Sequence, residues 1–194
     1  MGRDAKVERK TKETDIVLTL SLDGSGAVEV STGIGMLDHL LTALAKHAGF
    51  DLQLTCKGDL HVDDHHTVED CALAIGKAVD EVLGDRRGIV RFGSAYAPLD
   101  EALARAVIDF SGRPWSEVEL DLDGETLGQL AAENVPHVFH SLATAMRASI
   151  HVDVIRGEND HHRAEAAFKA LALALRQAVA PSGQTGVPST KGVL

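Results

Sequence analysis

Two stretches of this chain carry the same signature, His-His-x-x-Glu: His65, His66 and Glu69 in DDHHTVED, and His161, His162 and Glu165 in NDHHRAEA. Helix positions four apart differ by about 40° around the axis and share a face, so His65 with Glu69, and His161 with Glu165, can each grip one cation. His66 and His162 lie about 100° around the same helices and point toward a different ion. One more histidine precedes each doublet at a similar distance, His39 before the first and His137 before the second. Together these are eight ligands, enough for two ions with three imidazoles and one carboxylate each. Octahedral ions held this way keep open positions, and open positions imply chemistry, because structural sites are closed. A single His-x-x-x-Glu is ordinarily a solvated helix face; its duplication in register gives it weight. His61, His140 and His151 have no such support and read as bystanders.

The elements that must position these residues repeat as well. The doublets open two long apolar-periodic stretches, 63–84 and 159–179, which read as helices with Asp64 and Asp160 as N-caps and Gly84 as the stop of the first. Residues 33–49 and 133–149 read as the partner helices that carry His39 and His137, the second with Asn134 as N-cap and Pro136 in its first turn. Each is followed by an alternating segment, 50–56 and 149–155, with strand character. Further strands are expected over 15–22, with Gly24-Ser25-Gly26 as a hairpin turn into AVEVS, over 96–110, and over 115–122. The chain is therefore expected to be α+β, with mixed sheets packed against a helix bundle. Its two similar halves, 1–88 and 89–194, form one compact domain, and PSGQTGVPSTKGVL is an irregular tail.

Composition narrows the function. The 194 residues carry a net charge of −10, and no Lys/Arg cluster interleaves with the few aromatics, which excludes a nucleic-acid partner. No apolar run approaches the roughly 18 residues of a membrane span. The charged first fifteen residues lack the apolar stretch of a signal peptide, so a cytoplasmic location is expected. Cys56 and Cys71 are too few for a disulfide framework and read as buried thiols.

The segments LDHLL, DDHHTVED, APLDEAL, SGRPW, ENDHHRAEAAFKA and PSTKG, in that order, resemble the imidazoleglycerol-phosphate dehydratase family of histidine biosynthesis, from about Glu8 onward. The resemblance implies a lyase that converts D-erythro-imidazole glycerol phosphate to imidazole acetol phosphate and water, with two Mn(II) per active site. It assigns Glu13 to the reacting glycerol, and Arg91, Arg113, Ser189 and Lys191 to the phosphate. It also implies a homo-oligomer, a closed shell of about 24 subunits. His47, two turns beyond His39, and Lys169, one turn beyond Glu165, share those ligand faces and are expected to line the same pocket.

The reaction removes a hydroxyl beside the imidazole and a proton from the next carbon, which no carbonyl acidifies. A ring with metal on both nitrogens becomes an electron-rich imidazolate able to expel the hydroxyl, after which the C–H is acidic enough for a carboxylate. Glu165 and Glu13 are both candidates for that base, Glu165 ahead for the C–H proton and Glu13 for handling the hydroxyl. Two other readings remain at this stage. A dinuclear phosphate-ester hydrolase would want a bridging carboxylate, and none is evident in the repeat. A non-catalytic metal-binding protein would have no use for Arg91, Arg113 or the PSTKG tail.

Overall fold

The structure, a computed structural model, describes residues 2–194. The first half contributes β1 (Asp4–Lys10), β2 (Thr14–Ser21), β3 (Val28–Ser31), α1 (Gly35–Ala48), β4 (Asp51–Gly58) and α2 (His65–Leu83). The second contributes β5 (Phe92–Leu99), β6 (Ala102–Asp109), β7 (Trp115–Glu119), the short β8 (Thr126–Leu127) and β9 (Leu130–Ala131), α3 (Asn134–Met146), β10 (Ser149–Arg156) and α4 (Asp160–Ala178). Two four-stranded sheets result, in the orders β1-β2-β4-β3 and β5-β6-β10-β7. In each, one parallel pairing, β3 with β4 or β7 with β10, accompanies antiparallel neighbours. The fold is thus α+β with two similar halves.

Each sheet covers its own helices, α2 lying on β1 and β2 and α4 on β5 and β6, while α2 packs on α3 and α1 on α4 across the halves. The two inner faces are built differently. In the first sheet Ile16, Leu18 and Leu20 pair with Cys56, Leu54 and Leu52, all buried. In the second the inward positions of β6 are Ala102, Ala104, Ala106 and Ile108, since α4 lies so close that a Cβ on Gly93 would sit 1.9 Å from the Ala174 carbonyl oxygen. That approach explains why the alanine-rich ALARAV is a strand despite its composition: small side chains on both surfaces allow it.

Several local expectations are corrected. Gly24-Ser25-Gly26 is not a hairpin turn, because β4 lies between β2 and β3, and the Asp51 carboxylate instead accepts the backbone N–H of Ser25 and of Ala27. The charged N-terminal segment forms β1, an edge strand with Val7 alone fully buried. Residues 96–110 are not one strand but most of the β5–β6 hairpin, turning at Asp100 and Glu101. The α4 cap is Asn159, whose side chain accepts from the N–H of His161 and His162, and Asp160 instead accepts from the N–H of Asp123 and Gly124. Asp64 stands at the N-cap position of α2 but makes no cap hydrogen bond, and Glu133 rather than Asn134 precedes α3. Cys56 and Cys71 are free and buried.

Candidate metal centre

The crosswise helix packing decides which ligands meet. His39 on α1 joins His161 and Glu165 on α4, and His137 on α3 joins His65 and Glu69 on α2, each trio presenting ligand atoms within 4.8 Å of one another. Neither cluster belongs to one half. In the first, His39 Nε2 and His161 Nε2 lie 2.9 and 3.1 Å from the same oxygen, Glu165 Oε2. The other oxygen, Oε1, pairs with Lys169 Nζ at 2.6 Å. Burial alone would raise the Glu165 pKa, but hydrogen bonds from Lys169 and His39 outweigh it and hold the carboxyl at about 2. Glu165 is thus a carboxylate with one oxygen fixed and the other facing two imidazoles.

In the second cluster the His65 and His137 rings stack at 4.7 Å between centroids. Asn134 Nδ2 donates to Asp64 Oδ1, which leaves Asn134 Oδ1 to accept from His65 Nδ1–H at 3.0 Å. The His65 lone pair is therefore on Nε2. His137 Nε2 is buried without a hydrogen-bond partner, 3.5 Å from Glu69 Oε1. Such an orphaned nitrogen costs about 1–3 kcal/mol unless something occupies the position it faces. The donor set of two imidazoles and a carboxylate suits a divalent transition ion, so these residues fit the expected metal.

His66 and His162 stand apart from both trios, their rings at 81° and 90° to those of His65 and His161. His66 Nδ1 faces Asp59 Oδ2 at 3.0 Å and His162 Nδ1 faces Glu101 Oε2 at 2.7 Å. These carboxylates raise the pKa of both histidines. Glu13 comes within 3.8 Å of His66 Nε2. Its turn is anchored to α2 by buried Asp70, which accepts from Thr14 Oγ1 at 2.5 Å and pairs with Arg9 at 2.8 Å. The β5–β6 turn faces His162 in the same way, with Asp100 at 3.9 Å. His47 lies near Lys169; partial burial, then that cation, lowers its pKa.

The phosphate candidates gather elsewhere. Arg91 forks onto Asp109 at 2.7 and 3.1 Å and donates to the Pro188 carbonyl at 2.8 Å, one residue before Ser189. Exposed Arg113 sits in the turn before β7, where a Cβ on Gly112 would lie 2.7 Å from the Leu194 carbonyl carbon. Arg91 N donates to Ala178 O at the end of α4, and His161 is in its first turn, so the helix alone separates them by about 25 Å. Asp59, Asp70, Glu101 and the Asn134 contact were not found from sequence. Glu101 lies in APLDEAL, yet an acidic turn gives no sign of the helix it will face.

Of the three histidines without repeat support, His140 Nδ1 shares a hydrogen bond with Ser116 Oγ at 2.5 Å and burial lowers its pKa, while His61 and His151 are exposed. No helix among the described residues is long and apolar enough to cross a membrane.

The imidazoleglycerol-phosphate dehydratase family model matches residues 32–175. A protein of that name from Phytophthora nicotianae is 61% identical over 192 residues, covering 99% of this chain, which spans only 42% of that relative's length. Its namesake from Candida glabrata is 55% identical over 208 residues, with 98% and 99% of the two chains covered. Among solved structures, imidazoleglycerol-phosphate dehydratase of Staphylococcus aureus matches with a TM-score of 0.83 at 35% identity, covering 92% of this chain and 99% of that one. The Pyrococcus furiosus enzyme in complex with (S)-C348 also gives 0.83, at 38% identity over 97% and 100%. Two histidine–glutamate clusters, a repeated fold that superposes on these structures and identity along nearly the whole sequence lead to one conclusion: the chain belongs to the imidazoleglycerol-phosphate dehydratase family.

Proposed function

We propose that this protein dehydrates D-erythro-imidazole glycerol phosphate to imidazole acetol phosphate and water, as a step of histidine biosynthesis in the cytoplasm, with two Mn(II) per active site. The observation that carries this reading is the pair of three-ligand clusters, repeated by the sequence and assembled crosswise by the helices. His39, His161 and Glu165 would hold one ion and His65, Glu69 and His137 the other, with His66 and His162 each supplying a third imidazole. When bound, the ions supply positive charge at the substrate's ring, which favours loss of its N–H proton.

The chain's own groups divide the remaining work. Glu165 takes the proton from the second carbon of the side chain after its Oε2 swings away from His39 and His161, its other oxygen steadied by Lys169. Glu69 has no lysine at the matching position, where Leu73 stands, so the two metal-side carboxylates are not equivalent. Glu13, beside His66, handles the departing hydroxyl. Arg91, Arg113, Ser189 and Lys191 bind the phosphate, and His47 with Lys169 lines the pocket.

Within one chain His66 and His162 turn away from the clusters and Arg91, the proposed phosphate ligand, lies at the far end of α4, which favours sites completed between copies. The proposed assembly is a homo-oligomer of about 24 chains, as the family resemblance implies. The test is product detection with imidazole glycerol phosphate and, in parallel, a generic phosphate ester. Imidazole acetol phosphate from the first, with no phosphate released from the second, is the expected result. Phosphate release from both would favour the hydrolase reading.

A further inference from the structure

We propose that Glu101 is a positioning residue that makes His162 a metal ligand through Nε2, and that Asp59 does the same for His66. The inference rests on reading the second histidine of each doublet as a ligand. Glu101 comes from the β5–β6 turn, whereas His162 opens α4, and the carboxylate bridges them with both oxygens. Oε1 accepts the backbone N–H of Glu158 and Asn159 at 3.1 and 3.0 Å, and Oε2 faces His162 Nδ1 at 2.7 Å. A carboxylate whose other oxygen already accepts two N–H groups can only accept at Oε2, so Nδ1 carries the ring proton. The lone pair is then on Nε2, the nitrogen turned away from Glu101. The first half repeats the device with different parts. Asp59, from the loop between β4 and α2, faces His66 Nδ1 with Oδ2 at 3.0 Å, while its Oδ1 is buried without a hydrogen-bond partner.

A purely structural role, tying the turn to the loop before α4, predicts something different in one substitution. In Glu101→Gln the amide oxygen is still needed by the N–H groups of Glu158 and Asn159, so the loop stays clamped. The amide NH2 must then face His162 Nδ1, which becomes the acceptor, and the ring proton moves to Nε2 and blocks the ligand position. Partners that orient ligating histidines typically change metal affinity by about 10–100-fold.

The experiment is titration of the full-length, metal-stripped protein with Mn(II) alone, reading free Mn(II) by electron paramagnetic resonance. Glu101→Gln, Asp59→Ala and His162→Ala are compared with wild type, and circular dichroism confirms folding. Glu101→Gln should weaken one of the two Mn(II) sites about 10–100-fold and leave the other at its wild-type affinity. Wild-type binding at both sites in folded Glu101→Gln would overturn the proposal, provided His162→Ala loses an ion. If His162→Ala keeps both ions, the ligand reading itself falls, and the inference with it. Should Glu101→Gln not fold, Asp59→Ala decides: a weakened single site supports the device, and two wild-type sites refute it.

Discussion

Glu165 has a lysine one turn on, Lys169, where its repeat partner Glu69 has Leu73, and Lys169 together with His39 lowers its pKa. Its pKa of about 2 lies below the ordinary 4.5, so its contribution to stability is complete above about 4.5 and is lost as pH falls toward 2. In metal-free protein, urea unfolding across that window should therefore show a steeper loss for wild type than for Lys169→Met. Equal slopes would mean that Lys169 does not hold the carboxylate. If Arg91 binds the substrate phosphate as proposed, Arg91→Ala removes a charge-assisted contact worth about 1.5–3 kcal/mol. KM should rise roughly ten- to hundredfold with metal content unchanged, and wild-type kinetics would take Arg91 out of the site. The ligand types were legible because His-His-x-x-Glu occurs twice in register. Their grouping was not: repeat register sets His39 beside His65, while the fold takes it to His161.

That regrouping belongs to the elements. The α2–α3 contact brings His137 to His65, and it depends on Gly76, where an added Cβ would lie 2.6 Å from Ala145 Cβ and 3.1 Å from the Leu142 carbonyl oxygen. Gly76→Ala should push the helices apart and destabilise the protein by about 1–3 kcal/mol, measured by urea denaturation, with weaker metal binding at the His65–Glu69–His137 cluster. An unchanged midpoint would show that the helices adjust freely. All four helices were readable from their apolar period, and β4 and β10 from alternation. The strand β1 was not, since only Val7 on it is fully buried and an edge strand needs no apolar stripe. The false hairpin at Gly24-Ser25-Gly26 arose because glycine marks a change of direction without saying which strand will pair.

At the scale of the whole molecule, the proposed site is not assembled within one chain. His66 and His162 point out of the clusters, and the Arg91 group lies at the other end of α4. Phe92, Tyr96 and Trp115, on the outer face of the second sheet, are 55%, 60% and 62% exposed, an apolar surface of the kind that marks an interaction site. If ligands from different chains share an ion, metal binding and association are coupled, and each strengthens the other. The most direct test is sedimentation velocity before chelation, after it, and after Mn(II) is restored, with dehydration of imidazole glycerol phosphate measured on the same fractions. The account predicts a large active particle that shrinks and falls silent together when metal is removed, and recovers both properties with Mn(II). A metal-loaded monomer with full activity would contradict it.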